Sequence, residues 1–264
     1  MSQLELPPTF ERATYAQPLG VDRYRVHIDA AWAGGSGPSG GYLAAICLNS
    51  MLQTIDGTEW GVRSLTTHFL RGPQIGPAEV TVHLLRTGRT VTSVEATLVQ
   101  DGREQVRSFA TFVRGDDSAR SRRAAEVPAG IRAFEDSPHL HVAGLPSLFD
   151  RLEQRVAAVE APGDDRRRGW VRLREPRPID ALTLTLFADC WLPALAAGTD
   201  DVPVAPTLDY MVLFREAAST APDEPVLLDI HTAAIADGMA DEDVDIWSSD
   251  GRLLAQSRQL LLDR

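Results

Sequence analysis

Apolar and polar residues alternate through three successive stretches between residues 78 and 114: AEVTVHLLRTG, RTVTSVEATLVQ and EQVRSFATFVR. Alternation sends successive side chains to opposite faces of a strand, and Thr87-Gly88 and Asp101-Gly102 between the stretches are hairpin signals. The pattern predicts an antiparallel meander. Just ahead of it, in SGGYLAAICLNSMLQTI, the spacing changes. Tyr42, Ala45, Ile46, Asn49 and Leu52 recur three and four residues apart, which predicts a helix of about four turns with Ser39 as its N-cap. Further upstream, DRYRVHIDAAWAGG reads as another strand.

The second half repeats this order. GWVRLREP reads as a strand and DALTLTLFADCWLPAL as a helix capped by Asp180; APTLDYMVLFRE, EPVLLDIHTAAIA, EDVDIWSSDG and GRLLAQSRQLLLDR read as strands. FLRG at 69–72 answers LFRE at 213–216, and Asp101-Gly102-Arg103 answers Asp250-Gly251-Arg252, so an internal duplication is the simplest account. Between the halves, GDDSARSRRAAEVP and EAPGDDRRRG mix acids and arginines like a solvated tether, flanking a short helical candidate, SLFDRLEQRVAAV. The expected organisation is an N-terminal unit over 1–117, a linker with a short helix over 118–165, and a C-terminal unit over 166–264. Each unit is α+β, one long helix with an antiparallel sheet of four or five strands wrapped around it. A helix wrapped in this way is buried on most sides, which fits the lack of a continuous polar face in either one.

Asp189 interrupts that pattern. It lies in LFADCWLP, three residues after Leu186 and seven after Leu182, on an apolar stripe. An unpaired carboxylate in an apolar setting costs several kcal/mol or raises its pKa until it is neutral. Two readings are open on spacing alone: a buried carboxylate with partners, or a wet one at the helix end where Pro193 stops the turn. The last strand holds a second anomaly. Ala255, Ser257, Gln259 and Leu261 share a face that the duplicate fills with Val106, Ser108, Ala110 and Phe112. Gln259 stands where the first copy has a methyl group, and a buried amide must find both a donor and an acceptor. That suggests a site; the alternative is a partly wet residue on an edge strand.

Composition removes several function classes. The chain has 264 residues and a net charge of −11, so it offers no basic field for a nucleic acid. Every basic residue is arginine, which excludes a lysine Schiff base and a phosphate-binding P-loop. The two cysteines, Cys47 and Cys190, both sit in apolar helical stretches and read as buried reduced thiols. No stretch approaches the ~18 uncharged apolar residues of a membrane span, and MSQLELPPTF lacks the basic and apolar parts of a secretory leader, so a cytoplasmic location is expected. No metal site is expected. Asp241, Asp243 and Asp245 have calcium-loop spacing, but Ile246 and Arg252 stand where that loop needs a glycine and a bidentate acid. His139 and His141 lack partners at zinc spacing. GPSGG at 37–41 fits the G-x-S-x-G expression around Ser39, but the antiparallel, duplicated context favours a helix cap.

The segments LFADCWLP, APTLDYMVLFRE and AQSRQLLL, with SGGYLAAICLNSM, FLRG and EVTVHLLRTGR, resemble the acyl-CoA thioesterase II family over most of the chain. The resemblance implies a double hotdog fold, two tandem units each with an antiparallel sheet around a long central helix. It further implies hydrolysis of acyl-CoA to free fatty acid and coenzyme A without a cofactor, by a water held by Asp189, Thr207 and Gln259. It implies association into at least a homodimer, since each sheet has an edge that needs covering. Family members carry a histidine three residues before the Phe-Leu-Arg segment. This chain has Thr66 there and His68 immediately before Phe69, and His68, on the strand face of Thr66, is the candidate substitute. Gly40 and Gly41 at the start of the first helix are candidate oxyanion donors, and Arg86 and Arg89 around the Thr87-Gly88 turn are candidates for the polyanionic coenzyme A end. The alternative is a double hotdog protein that binds acyl-CoA or assembles without catalysis. A hotdog hydratase would need a histidine beside an acid, and neither expected helix contains one. The hydrolytic reading carries a geometric expectation: Asp189, Thr207 and Gln259 should converge on one water.

Overall fold

Period-2 alternation builds the first half. After a single helical turn, α1 (Phe10–Ala13), come strands β1 (Gln17–Gly20) and β2 (Arg23–Ile28), and a separate two-stranded ribbon of β3 (Ala33–Gly34) and β4 (Gly37–Pro38). Helix α2 (Gly40–Thr54) then leads into the meander β5 (Trp60–Phe69), β6 (Gly76–Thr87), β7 (Val91–Gln100) and β8 (Arg103–Arg114). The structure is a computed structural model that describes residues 9–55, 59–115, 126–142, 144–159, 165–191, 205–215 and 223–263. Between β7 and β8 the chain reverses through Asp101 and Gly102, at φ 52° and 71°, the left-handed pair that a tight hairpin requires. The alternating residues Val80, Val82, Val94, Ala96, Leu98, Val106 and Phe112 are all buried.

The second half opens differently from the sequence reading. SLFDRLEQRVAAV is not a helix but a 3-10 turn (Ser147–Arg151) followed by strand β9 (Leu152–Val156), which pairs antiparallel with β10 (Arg166–Leu173). A short helix standing alone is marginal in water, whereas β9 finds ladder partners on the edge of β10. Glu153 and Arg155, two residues apart, share a strand face and bond each other, and Arg172 joins them from β10. The stretches 118–125 and 160–164 of the expected linker lie outside the described residues. Helix α3 (Ala181–Phe187) and strands β11 (Thr207–Phe214), β12 (Val226–Ala236), β13 (Met239–Ser248) and β14 (Leu253–Leu262) complete the half.

Among the described residues these strands form one antiparallel sheet in the order β1-β2-β6-β7-β8-β5-β11-β14-β13-β12-β10-β9. The order reads the same way outward from its centre, each strand of one half having a counterpart in the other, so the duplication is a symmetry of the sheet. The halves join where β5 pairs with β11, Leu65 opposite Val212 and Thr67 opposite Tyr210. Phe69 lies opposite Val106, and Phe214 opposite Ala255. Phe69 therefore corresponds to Phe214, one residue away from the FLRG and LFRE match. Register follows the inward-facing side chains, because a one-residue slip would turn every one of them to the other face.

Helix α2 lies on the inner face of the sheet. Every residue from Gly41 to Leu48 is buried, as are Ser50 and Met51, so the helix has core on most sides. The Thr183 N–H donates to Asp180 at 2.8 Å, and Asp180 is the cap of α3 as its sequence suggests. The expected long second helix is shorter here: α3 has seven residues, Asp189 lies just beyond it with its N–H donating to the Leu186 carbonyl at 3.2 Å, and residues 192–195 lie outside the described residues. No helix among the described residues is long and apolar enough to cross a membrane.

The two helices touch where α2 begins. A Cβ on Gly41 would lie 2.9 Å from the Thr185 carbonyl oxygen and 3.0 Å from that of Leu186, so glycine is what lets the first turn of α2 reach α3. Gly41→Ala must push backbone away from backbone and should destabilise the protein by roughly 1–3 kcal/mol. A cooperative melt read by calorimetry should fall by several degrees, while Gly72→Ala, whose Cβ meets nothing within 4 Å, should melt like wild type. Equal melting temperatures for the two variants would remove the close approach as a constraint.

Candidate active site

Two elements from different halves hold the Asp189 carboxylate. The chain leaves α3 at Phe187 and carries Asp189 to the N-terminus of α2, where the Gly41 N–H donates to its Oδ2 at 2.7 Å and the Ser39 hydroxyl approaches at 3.5 Å. The unpaired N–H groups and the positive end of a fifteen-residue helix make this a natural seat for an anion. Burial nevertheless raises the Asp189 pKa from its ordinary value of 3.8 to about 6, against hydrogen bonds from Gly41, Ser39, Gly40 and Thr207 that pull it down. Desolvation wins, and the carboxylate is poised near neutrality, where a general base is most useful.

Thr207 opens β11 beside it. Its hydroxyl donates to Gln259 Oε1 at 3.2 Å, and Gln259 Nε2 in turn donates to Glu242 Oε1 at 2.8 Å. Asp189, Thr207 and Gln259 are thus brought into one cluster, but in series. Asp189 and Thr207 line a cavity of about 270 Å³, whereas Gln259 does not line it and is buried behind Thr207. Leu43, Phe69, Leu148, Phe149 and Trp191 give the cavity an apolar wall. Arg71 lies on its rim, with Nη1 donating to the Glu104 carbonyl at 2.8 Å. The shape is that of a site for a molecule with an apolar part, one polar centre and a charged end.

Other candidates fall elsewhere. Ser39 has the extended backbone of an N-cap, yet its hydroxyl makes no cap bond and turns toward Asp189. Gly40 lines the cavity, while the Gly41 N–H is already given to Asp189 and is not a free oxyanion donor. His68 is exposed on the outer face of β5, and it is its neighbour Thr67 that points inward, bonded to Ser108. Arg86 and Arg89 are exposed at the far end of the β6–β7 hairpin. Arg86 is level with Ser93, Thr111 and Ser64, whereas the cavity residue Phe69 is level with Val106, Leu98 and Val80. The turn arginines are therefore separated from the cavity by several residues along the strands. Two residues escaped the sequence reading. Arg71 stood in the FLRG match without its position relative to a cavity being visible. Glu242 could have been found by extending the comparison that singled out Gln259: Ala110 pairs with Val94 in the first half, and Gln259 with Glu242 in the second.

Both cysteines are free and buried. Burial pushes the Cys47 thiol up to about 12 and raises Cys190 strongly, with the Asp189 charge adding to the latter, so neither has thiolate character. No cluster of three or more His, Cys, Asp or Glu suited to a metal occurs among the described residues.

Comparison with known proteins bears on this site. The family model for an acyl-CoA thioesterase C-terminal domain matches residues 123–262, and that for an acyl-CoA thioesterase N-terminal domain matches residues 28–113. A protein assigned as a thioesterase II from Thermobifida fusca is similar in structure with a TM-score of 0.84 at 30% identity, over 96% of this chain and 98% of that one. A hot dog fold protein from Alicyclobacillus acidocaldarius has the same TM-score of 0.84 at 22% identity, over 98% of this chain and 99% of its own. The thioesterase-like protein TwmA of Talaromyces wortmannii is 28% identical over 188 residues, 67% of this chain and 50% of that protein, so the chain spans about half the length of this curated relative.

The raised pKa has a consequence for stability. Because Asp189 holds its proton more tightly folded than unfolded, its ionisation costs stability above about pH 6, and the cost fades as pH falls from about 6 to about 4. Asp189→Asn should therefore be at least as stable as wild type at pH 8, with the advantage shrinking across that window. Urea midpoints at a series of pH values measure this, and an Asn variant markedly weaker at pH 8 would contradict a desolvated carboxylate.

Proposed function

The chain belongs to the acyl-CoA thioesterase family, and from that premise we propose that it hydrolyses acyl-CoA thioesters with Asp189 as the general base. The observation that carries the proposal is the Asp189 carboxylate, seated at a helix N-terminus beside Thr207 on a cavity with an apolar wall, with its pKa raised to about 6. The two halves of the sheet, whose strand orders mirror each other about the β5–β11 pair, support the finer reading as tandem hot dog units, and the hot dog relative supports it independently.

In this mechanism a water next to Asp189 and Thr207 gives a proton to the carboxylate as its oxygen bonds to the acyl carbon. The resulting oxyanion collapses, the carbon–sulfur bond breaks, and the departing thiolate recovers the proton from Asp189. The products are the free acid and coenzyme A. Positioned proton transfer of this kind contributes roughly a hundredfold to ten-thousandfold. The acyl chain runs along Leu148, Phe149 and Trp191, and Arg71 on the rim serves the anionic end in place of Arg86 and Arg89. Gln259 acts from behind Thr207, without touching substrate. Oxyanion stabilisation comes from donors other than the Gly41 N–H, which is already spent on Asp189.

Release of free thiol from a panel of acyl-CoAs tests the proposal. Wild type should hydrolyse at least one chain length, with an acid limb near pH 6 below which the rate falls as Asp189 takes up its proton. Asp189→Asn should lower kcat by about a hundredfold or more. A wild type that binds acyl-CoA but releases no thiol would leave the binding-protein reading instead. Assembly is part of the same proposal: light scattering should give a mass of at least two chains, and a single-chain mass at every concentration would count against it.

A further inference from the structure

Beyond the cavity, polar side chains continue across the inner face of the second half. Thr207, Gln259, Glu242, Thr232 and Arg167 lie on β11, β14, β13, β12 and β10, which are successive neighbours in the sheet. Glu242 stands directly opposite Gln259, and Thr232 opposite Glu242. Glu242 and Gln259 are each only 3% exposed, and the charge of Arg167 bears on Glu242. The matching cross-strand pair of the first half is Val94 and Ala110, both buried and apolar. Replacing two apolar residues by a buried acid and amide costs desolvation that good hydrogen bonds only partly offset. A core that could have been packed as in the first copy carries this cost in the second copy alone, next to the cavity.

We propose that Glu242 is a positioning residue, whose carboxylate fixes the Gln259 amide and, through it, the direction of the Thr207 hydroxyl proton for the hydrolytic water. The proposal rests on the hydrolytic reading of Asp189 and deepens it. Its logic is a count of donors and acceptors. The Glu242 oxygen that faces Gln259 accepts from its NH₂, so the amide turns its NH₂ to Glu242 and its carbonyl to Thr207. The Thr207 hydroxyl has one proton for two acceptors, the Gln259 carbonyl and the Asp189 carboxylate, and a carbonyl held in place draws it toward Gln259. Its lone pairs are then left to accept one hydrogen of the water, while Asp189 accepts the other. With both hydrogens held, the water presents a lone pair to the acyl carbon. Without Glu242 the amide can turn over, Thr207 meets an N–H donor, and its proton is no longer shared but goes to Asp189 alone. The base is then weakened and the water loses one of its two anchors.

Glu242→Gln tests this with almost no change of volume. Steady-state kinetics should show kcat lowered by about tenfold or more with an unchanged KM, as expected when reacting groups lose their alignment. A ¹³C-NMR titration of the Asp189 carboxyl should give a midpoint below that of wild type, because Thr207 now donates to it alone, and the acid limb of kcat should move down with it. The other titratable neighbours of Asp189 are Cys190 and Tyr210, both held neutral in this range by burial, while the first turn of α2 and Phe69 of β5 bring none. An unchanged Asp189 midpoint overturns the proposal, whether or not kcat falls. So does an unchanged kcat in a folded variant. If Glu242→Gln does not fold, Glu242→Asp carries the same readouts and the same expectations, since its shorter carboxylate cannot reach the amide. A wild type without thioesterase activity would sink the hydrolytic reading, whereas the titration would still decide whether Glu242 sets the Thr207 proton.

Discussion

The carboxylate of one half seated on the helix N-terminus of the other is the contact on which the rest of the site depends. Asp189 comes from the second copy, and the N–H groups that receive it come from the first turn of α2 in the first copy. For the two to meet, α2 and α3 must approach until a Cβ at position 41 would strike backbone oxygen and one at position 40 would strike the Phe69 ring and the Asp189 carboxylate, which is why glycines occupy both positions. The pairing of β5 with β11 brings Phe69 and Thr207 to the same cavity from opposite halves. Neither half alone contains the site.

The symmetry of the sheet makes the differences between its copies informative. Counted from the caps Ser39 and Asp180, Asp189 corresponds to Leu48, which is fully buried in the core. Gln259 and Glu242 correspond to Ala110 and Val94. One copy keeps the apolar packing that a stable sheet needs, and the other gives up part of it to hold a connected set of polar groups. Such a set is tolerable only because its members satisfy each other: Gly41 serves Asp189, Thr207 serves Gln259, and Gln259 serves Glu242.

Two opposing forces set the character of Asp189. Hydrogen bonds and the helix end favour its charge; burial in an apolar wall disfavours it, and burial prevails by enough to leave the group near neutrality. For the base role proposed above, a fully solvated aspartate would be too weak, and a buried one without these donors would stay protonated. Tyr210 donates its hydroxyl to the Thr185 carbonyl at 2.6 Å and so does not compete for the carboxylate.

Much of the fold was written in period and repetition. Alternating residues over 78–114 and their echo after residue 205 determined the strands, their turns and the duplication, because side-chain direction in a strand depends only on parity. Three-and-four spacing determined α2, and the presence of Asp189 and Gln259 on apolar faces marked both as anomalies before any contact was known. The family resemblance added Thr207. What the sequence misjudged were matters of long-range partnership. SLFDRLEQRVAAV became a turn and a strand because the edge of β10 was there to receive it. Ser39 and Gly41 turned from cap and oxyanion donor into partners of Asp189 because α3 ends beside them. Arg86 and Arg89 lie at the end of the sheet away from the cavity while Arg71 lies at the rim, since distance along a strand becomes distance from the cavity only once the sheet is assembled. Local pattern fixes which way a side chain points; only the tertiary structure decides what it meets.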